Sequence, residues 1–101
     1  MSDFYVKREN IKKREIHGDI FLIDIKQNYL NDKCHLYELN SMGNYIWDLL
    51  DYYHSPLDIA KEILKKIADN ISFETVLGDV STFLNILKEE NFLEYIYERN
   101  K

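Results

Sequence analysis

Cysteine, proline and glycine are scarce in this sequence, with one Cys, one Pro and three Gly among 101 residues. A single cysteine excludes an internal disulfide framework, and so little Gly and Pro excludes collagen-like or linker-like chains. Long apolar runs are missing as well. The longest, Ile20-Phe21-Leu22-Ile23, falls far short of the ~20 residues that cross a bilayer. The opening stretch, MSDFYVKRENIKKREI, lacks the apolar core of a secretory signal, so a reducing cytoplasm is the expected location. Positive charge is the minority, 13 Lys+Arg against 18 Asp+Glu for a net charge of −5, which argues against a nucleic-acid partner. What remains is an ordinary globular composition, 46% apolar and 14% aromatic. That length and composition predict one domain over residues 1–101, with an N-terminal arm over about residues 1–10.

The first third of the chain reads as strands. Lys12-Lys13-Arg14-Glu15-Ile16 precedes the turn signal His17-Gly18-Asp19, and Ile20-Phe21-Leu22-Ile23-Asp24-Ile25 follows it, rich in β-branched and aromatic residues. A second turn at Asn31-Asp32 leads to a third strand, Cys34 to Leu39. Alternation puts Tyr37 and Leu39 on one face and Leu36 and Glu38 on the other. From Asn40 the apolar period lengthens to about 3.6. Helix one carries Met42, Tyr45, Ile46, Leu49, Leu50 and Tyr53, with Asn40 or Ser41 as its N-cap. Ser55-Pro56-Leu57-Asp58 opens helix two, whose buried stripe is expected to be Leu57, Ala60, Ile63, Leu64 and Ile67. Helix three starts after Ser72 and carries Val76, Leu77, Val80, Phe83, Leu84 and Leu87. Asn91 suits the left-handed residue that ends a helix, and Phe92 to Tyr97 is a short extended tail or last strand. The order predicts an α+β domain, a three-stranded antiparallel sheet followed by three helices.

Reactive chemistry is sparse. His17, His35 and His54 fall in a turn, a strand and an interhelical loop with no ligand spacing. Cys34-His35 lacks the further donors a zinc site requires. Gly18, Gly43 and Gly78 are too scattered to build a phosphate loop. No catalytic residue, metal ligand or cofactor site is expected. The one concentration of positive charge, Lys7, Arg8, Lys12, Lys13 and Arg14, reads first as a solvated strand or arm that discourages edge pairing, and second as a docking patch for an acidic partner.

The arrangement resembles the PqqD-like family of peptide-binding domains, the RiPP recognition elements. Carrying the resemblance are Leu39-Asn40 followed by Gly43, Ile46-Trp47-Asp48-Leu49-Leu50, Ile59-Ala60 with Ile63-Leu64, Asp79-Val80 with Phe83-Leu84 and Leu87, and Asn91-Phe92-Leu93. It spans roughly Arg14 to Tyr95. The turn after helix one departs from the family's usual glycine in Asp51-Tyr52-Tyr53-His54, and Asn91 stands where a glycine commonly closes helix three. The resemblance implies a winged-helix-like fold and a stand-alone, non-enzymatic adaptor. Such an adaptor binds the leader of a ribosomally made precursor peptide and presents it to a modifying enzyme, a radical S-adenosylmethionine enzyme or a leader peptidase. No membrane or nucleic acid is implied as a partner.

In that reading the leader adds as a strand to the edge of the third strand, and helix three forms the opposite wall of the cleft. The implied peptide-binding residues are Cys34, His35, Leu36, Tyr37 and Glu38 on the strand and Val76, Asp79, Val80, Phe83 and Leu87 on the helix. Backbone pairing alone falls short of what such binding needs. About five hydrogen bonds at ~0.5–1.5 kcal/mol net stay below the ~8 kcal/mol of a micromolar complex once ordering costs are counted. Apolar anchors must supply the rest. Periodicity by itself assigns Val76, Val80, Phe83 and Leu87 to a helix-packing core, Tyr37 to the core with its hydroxyl near the surface, and Asp79 to a solvated face. Trp47 lies off the main stripe of helix one and fits either a plug under the sheet or an enzyme-docking surface. The alternative function is a winged-helix DNA-binding regulator. Between Ser72 and Asn91, however, Glu74, Asp79, Glu89 and Glu90 stand against Lys88 alone, a net of −3 with no arginine, the wrong sign for a groove-reading helix.

Overall fold

The computed structural model describes residues 3–26, 36–67 and 70–97. Its elements run β1 (Asp3–Lys7), β2 (Ile11–Ile16), β3 (Asp19–Asp24), β4 (Leu36–Leu39), α1 (Ser41–Leu49), α2 (Pro56–Lys66), α3 (Phe73–Glu89) and β5 (Leu93–Tyr97). The expected three-stranded antiparallel sheet is present, in the order β2-β3-β4, and is followed by three helices. Cys34, His35 and the turn expected at Asn31-Asp32 lie outside the described residues.

The β2–β3 hairpin is closed by two residues, since Ile16 pairs with Asp19. His17 (φ 52°) and Gly18 (φ 87°) are both left-handed, the combination of a type I′ turn whose twist matches the flanking strands. At the other end of the hairpin, Ile25 N–H donates to the Asn10 carbonyl at 2.9 Å and the Asn10 amide to Asp24 Oδ1 at 2.7 Å. The register sets the two faces of the sheet. Lys13, Leu22 and Tyr37 form one row and Ile20 pairs with Leu39, and this face holds the buried Leu22 and Leu39. Lys12, Ile23 and Leu36 lie in a row on the opposite face.

The stretch expected as an N-terminal arm is a strand. β1 pairs antiparallel with β5, Tyr5 opposite Tyr95, their rings tilted with centroids 5.2 Å apart. On its other side Tyr5 is held by His54 in the loop before α2: the Tyr5 N–H donates to the His54 carbonyl at 2.8 Å, and the Tyr5 carbonyl lies 3.2 Å from the His54 ring Nδ1. The chain therefore begins and ends in one two-stranded ribbon beside the main sheet, a pairing that local pattern does not disclose.

Each helix starts at a residue its sequence offers, the first at Asn40 rather than Ser41. Asn40, Ser55 and Ser72 are the N-caps, their side chains accepting from the N–H of Gly43, Asp58 and Thr75, a contribution of ~1 kcal/mol each. α3 ends in a Schellman motif: Asn91 (φ 66°) takes the left-handed position, with its N–H on the Lys88 carbonyl and that of Phe92 on the Leu87 carbonyl. Two expectations need correction. Helix one stops at Leu49, so Tyr53 lies in the following turn. In α2 the buried face is Ile59, Ala60 and Ile63, while Leu57 is exposed. At 3.6 residues per turn Ile59 lies about 40° from Ile63 around the helix axis, and Leu57 about 120°. The core joins these residues to Leu22, Leu39, Ile46, Trp47, Leu50, Val80, Leu84, Leu87, Phe92 and Leu93. Trp47 is a core plug, only 3% exposed.

Candidate functional site

Two features adjoin each other at the end of β4. The first is an open strand edge. β4 pairs with β3 on one side only, so among the described residues its outer N–H and C=O groups have no neighbouring strand. Leu36 and Glu38 are exposed on one face, Leu36 at 41%. Tyr37 on the other is half-buried, its ring edge-on to Phe92 with centroids 5.7 Å apart.

The second is an apolar cleft of about 300 Å³. The start of α1 contributes Met42, Gly43 and Ile46, the end of α2 Ile63 and Ile67, and α3 Val76, Val80 and Phe83. Ile71, just ahead of α3, completes the apolar lining. Asn40, Thr75 and Asp79 supply the polar groups. Asn40 directly follows the last residue of β4, so the open edge runs out at the rim of the cleft. The floor is set into the core: Ile46, Ile63, Val76 and Val80 are each 5% exposed or less. Gly43 allows the close approach of Phe83, because a Cβ there would lie only 3.1 Å from Phe83 Cζ.

Of the expected peptide-binding residues, Val76, Asp79, Val80 and Phe83 converge on this cleft. Leu36, Tyr37 and Glu38 stand on the adjoining strand rather than in the cleft wall. Leu87 is fully buried in the core and is not part of the lining. Cys34 and His35 lie outside the described residues. The sequence reading missed Met42, Ile63, Ile67 and Ile71 as cleft residues. The first three read as core because helical period records only that a side chain faces inward. The signal for Ile71 was an apolar residue standing alone between two helices.

The basic group divides. Lys7 Nζ is 2.8 Å from Asp51 Oδ1 and lies 4.6 Å from the centre of the Trp47 ring. Lys13 Nζ reaches Asp48 Oδ1 at 2.6 Å and Asn44 Oδ1 at 2.7 Å. Both lysines thus tie a strand to α1 or the turn after it, while Lys12 and Arg14 are exposed. Among the described residues no three His, Cys, Asp or Glu side chains group as metal ligands, and no helix is long and apolar enough to cross a membrane. The perturbed titrations lie on the α2 surface. Glu62 is held below the ordinary carboxylate range, first by its hydrogen bond from Lys65 at 3.0 Å. Lys65 is raised by the same contact, and Tyr53 is raised by desolvation and by its bond to Glu62.

The family model for coenzyme PQQ synthesis protein D (PqqD) matches residues 28–93, more than half of the chain. Two solved structures share the fold. TbiB1 in complex with the TbiA(beta) leader peptide aligns with a TM-score of 0.72 at 20% identity, over 92% of this chain and 99% of that one. Lasso peptide synthetase B1 complexed with the leader peptide aligns with a TM-score of 0.65 at 21% identity, over 92% and 98%. No curated protein matches the sequence.

Proposed function

This chain belongs to the PqqD family, and from that premise we propose that it is a non-catalytic adaptor that binds the leader of a ribosomally made precursor peptide. The observation that carries this reading is the continuity of the open β4 edge with the apolar cleft at Asn40. An extended peptide paired along Leu36 to Leu39 satisfies backbone groups that otherwise meet water, and a side chain beyond the paired stretch drops into the cleft. The backbone pairing tolerates many sequences; the cleft selects among them. Both similar structures hold a leader peptide, which supports the same kind of occupant here. The expected site residues Cys34, His35, Leu36, Tyr37 and Glu38 then contact the peptide. Val76, Asp79, Val80 and Phe83 act as the recognition face, with Leu87 supporting it from the core.

The adaptor presents the core of the precursor to a separate enzyme, a radical S-adenosylmethionine enzyme or a leader peptidase. The DNA-binding alternative has no support in α3, where Glu74, Asp79 and Glu89 outnumber Lys88.

The test is a titration with the leader of a precursor peptide encoded beside the gene, followed by amide NMR. Saturable binding with no covalent change is expected, and shifts should concentrate on residues 34–39 and 76–83. Shifts confined to the outer face of α2, around Leu57 and Lys61, would sink the proposal.

A further inference from the structure

Among the described residues Asp79 is the one charged residue in the cleft lining. It is exposed, and it pairs with no lysine or arginine among the described residues. The other described lining residues are apolar or neutral. Its position along α3 is defined by its neighbours. Val76, Val80 and Phe83 fall on one helical stripe facing the cleft, and Thr75 and Asp79, one turn apart, edge it on the solvent side. The rim residues are therefore stepped by about 6 Å along the helix. An extended peptide repeats its side chains on one face every two residues, at about 6.6–6.8 Å. The two repeats nearly match over one or two steps. A peptide running along α3 with one side chain in the apolar cleft at its Thr75 and Val76 end thus brings the residue two positions away, one helical turn along, to the level of Asp79.

We propose that the cleft recognises a bulky apolar residue together with a lysine or arginine two residues from it, the cation meeting Asp79. This refinement rests on the leader-binding reading and adds the chemistry of the segment selected. Two features favour a cation over a neutral residue. The Asp79 carboxylate has no competing cation among the described residues, and the whole chain is acidic at −5, so basic peptides are also attracted over distance. Asp79 is exposed, so the pair is a modest one and sensitive to salt.

The probe is a randomised 12-residue peptide library displayed on phage and selected against the wild-type protein and against the Asp79→Lys variant. Asp79 is exposed, so both proteins should fold alike, as circular dichroism can verify. Wild-type selection should enrich Lys or Arg two residues from Leu, Ile, Phe, Tyr or Trp. The Asp79→Lys selection should lose that cation and favour Asp or Glu there. For a synthesised winner, replacing the cation by alanine should weaken binding about three- to fivefold at low salt and much less at high salt. The Glu74→Gln protein, altered outside the lining, should bind within about twofold of wild type. Enriched apolar peptides with no charge bias, or an equal effect of Glu74→Gln and Asp79→Asn, would overturn the pairing while leaving strand addition standing. Selection that enriches no peptide over background would overturn both.

Discussion

Gly43 lies against the ring of Phe83, so close that a Cβ would fall 3.1 Å from Cζ and 3.3 Å from Cε1, with the capping Asn40 Oδ1 at 3.2 Å. This contact couples α1 to the cleft. Gly43→Ala improves intrinsic helix propensity by up to ~1 kcal/mol, but the Phe83 ring must yield by a few tenths of an ångström. Phe83 is half-buried and borders open space, so it can move, and the space it moves into is the cleft. The expected outcome is a small change in stability, within about 1 kcal/mol, with peptide affinity reduced severalfold. Thermal unfolding and a binding titration on one preparation separate the two effects. A variant that binds as tightly as wild type would show that Phe83 does not shape the peptide site.

The second prediction concerns the β4 edge. Leu36 is the first residue of the strand, a position where proline disturbs the existing ladder least. Leu36→Pro removes one backbone donor and fixes φ. Peptide binding should weaken at least about tenfold, the combined loss of a backbone bond, strand geometry and a half-exposed apolar contact. The helical circular dichroism should stay near wild type. Unchanged affinity in a folded variant would move the docking edge elsewhere.

Much of this architecture was legible because its signals are local. Ser55 followed by proline, Ser72 ahead of an apolar period and Asn91 before Phe92-Leu93 each act within one or two helical turns, and each is found in its expected role. β1 was not legible, because what makes Asp3–Lys7 a strand is β5, some ninety residues later in the chain. Its own five residues hold no turn or cap. The cleft was legible only on its α3 side. Val76, Val80 and Phe83 share a stripe, but which part of a buried stripe borders a cavity depends on how α1 and the end of α2 lean against it. The cation–carboxylate contacts of Lys7 and Lys13 were equally hidden, since each spans more than thirty residues.

The third prediction sets core against surface. Leu84 is 0% exposed in the core, and Leu84→Ala should cost about 2–5 kcal/mol through lost burial and a residual cavity. The Lys13–Asp48 pair is short at 2.6 Å, but Asp48 keeps 56% of its side chain exposed. Lys13→Met should therefore cost below about 1 kcal/mol. Urea denaturation of the two variants checks the ranking; a larger loss for Lys13→Met would mean that the strand-to-helix tie matters more than its solvent exposure indicates.

The fourth prediction follows from Glu62 and Lys65. Glu62 is depressed in the fold by the Lys65 hydrogen bond, so its favourable contribution is complete at neutral pH. That contribution fades once the pH drops below about 4.3 toward the lower folded-state value. Lys65 is raised by Glu62, so its share is complete below its ordinary value and is lost as the pH climbs through the raised one. Glu62→Gln removes both dependences. Between about pH 7 and pH 3 the stability gap between wild type and Glu62→Gln should narrow. Chemical denaturation across that range measures it, and a gap that widens on acidification would contradict the assigned direction.

The last prediction separates a peptide adaptor from a DNA-binding regulator. A winged-helix regulator inserts a helix into the major groove, where arginine and lysine read guanine edges and neutralise phosphates. α3 carries Glu74, Asp79 and Glu89 against Lys88, and Lys88 Nζ sits 5.0 Å from the centre of the Tyr95 ring rather than extending freely. Other described cations do not compensate: Lys7 and Lys13 are held by Asp51 and Asp48, and on α2 Lys65 pairs with Glu62 while Asp58 and Glu62 offset Lys61 and Lys66. Lys12 and Arg14, which do remain exposed, stand on β2 and not on a helix that enters a groove. Association with duplex DNA depends largely on counterions released by such contacts, and here the helix meets the phosphates with its own sign. Fluorescence anisotropy with random-sequence and genomic duplexes at about 150 mM salt should therefore show no submicromolar complex. A tight, sequence-dependent complex there would overturn the adaptor reading, since the cleft and the open β4 edge offer nothing that reads a base pair.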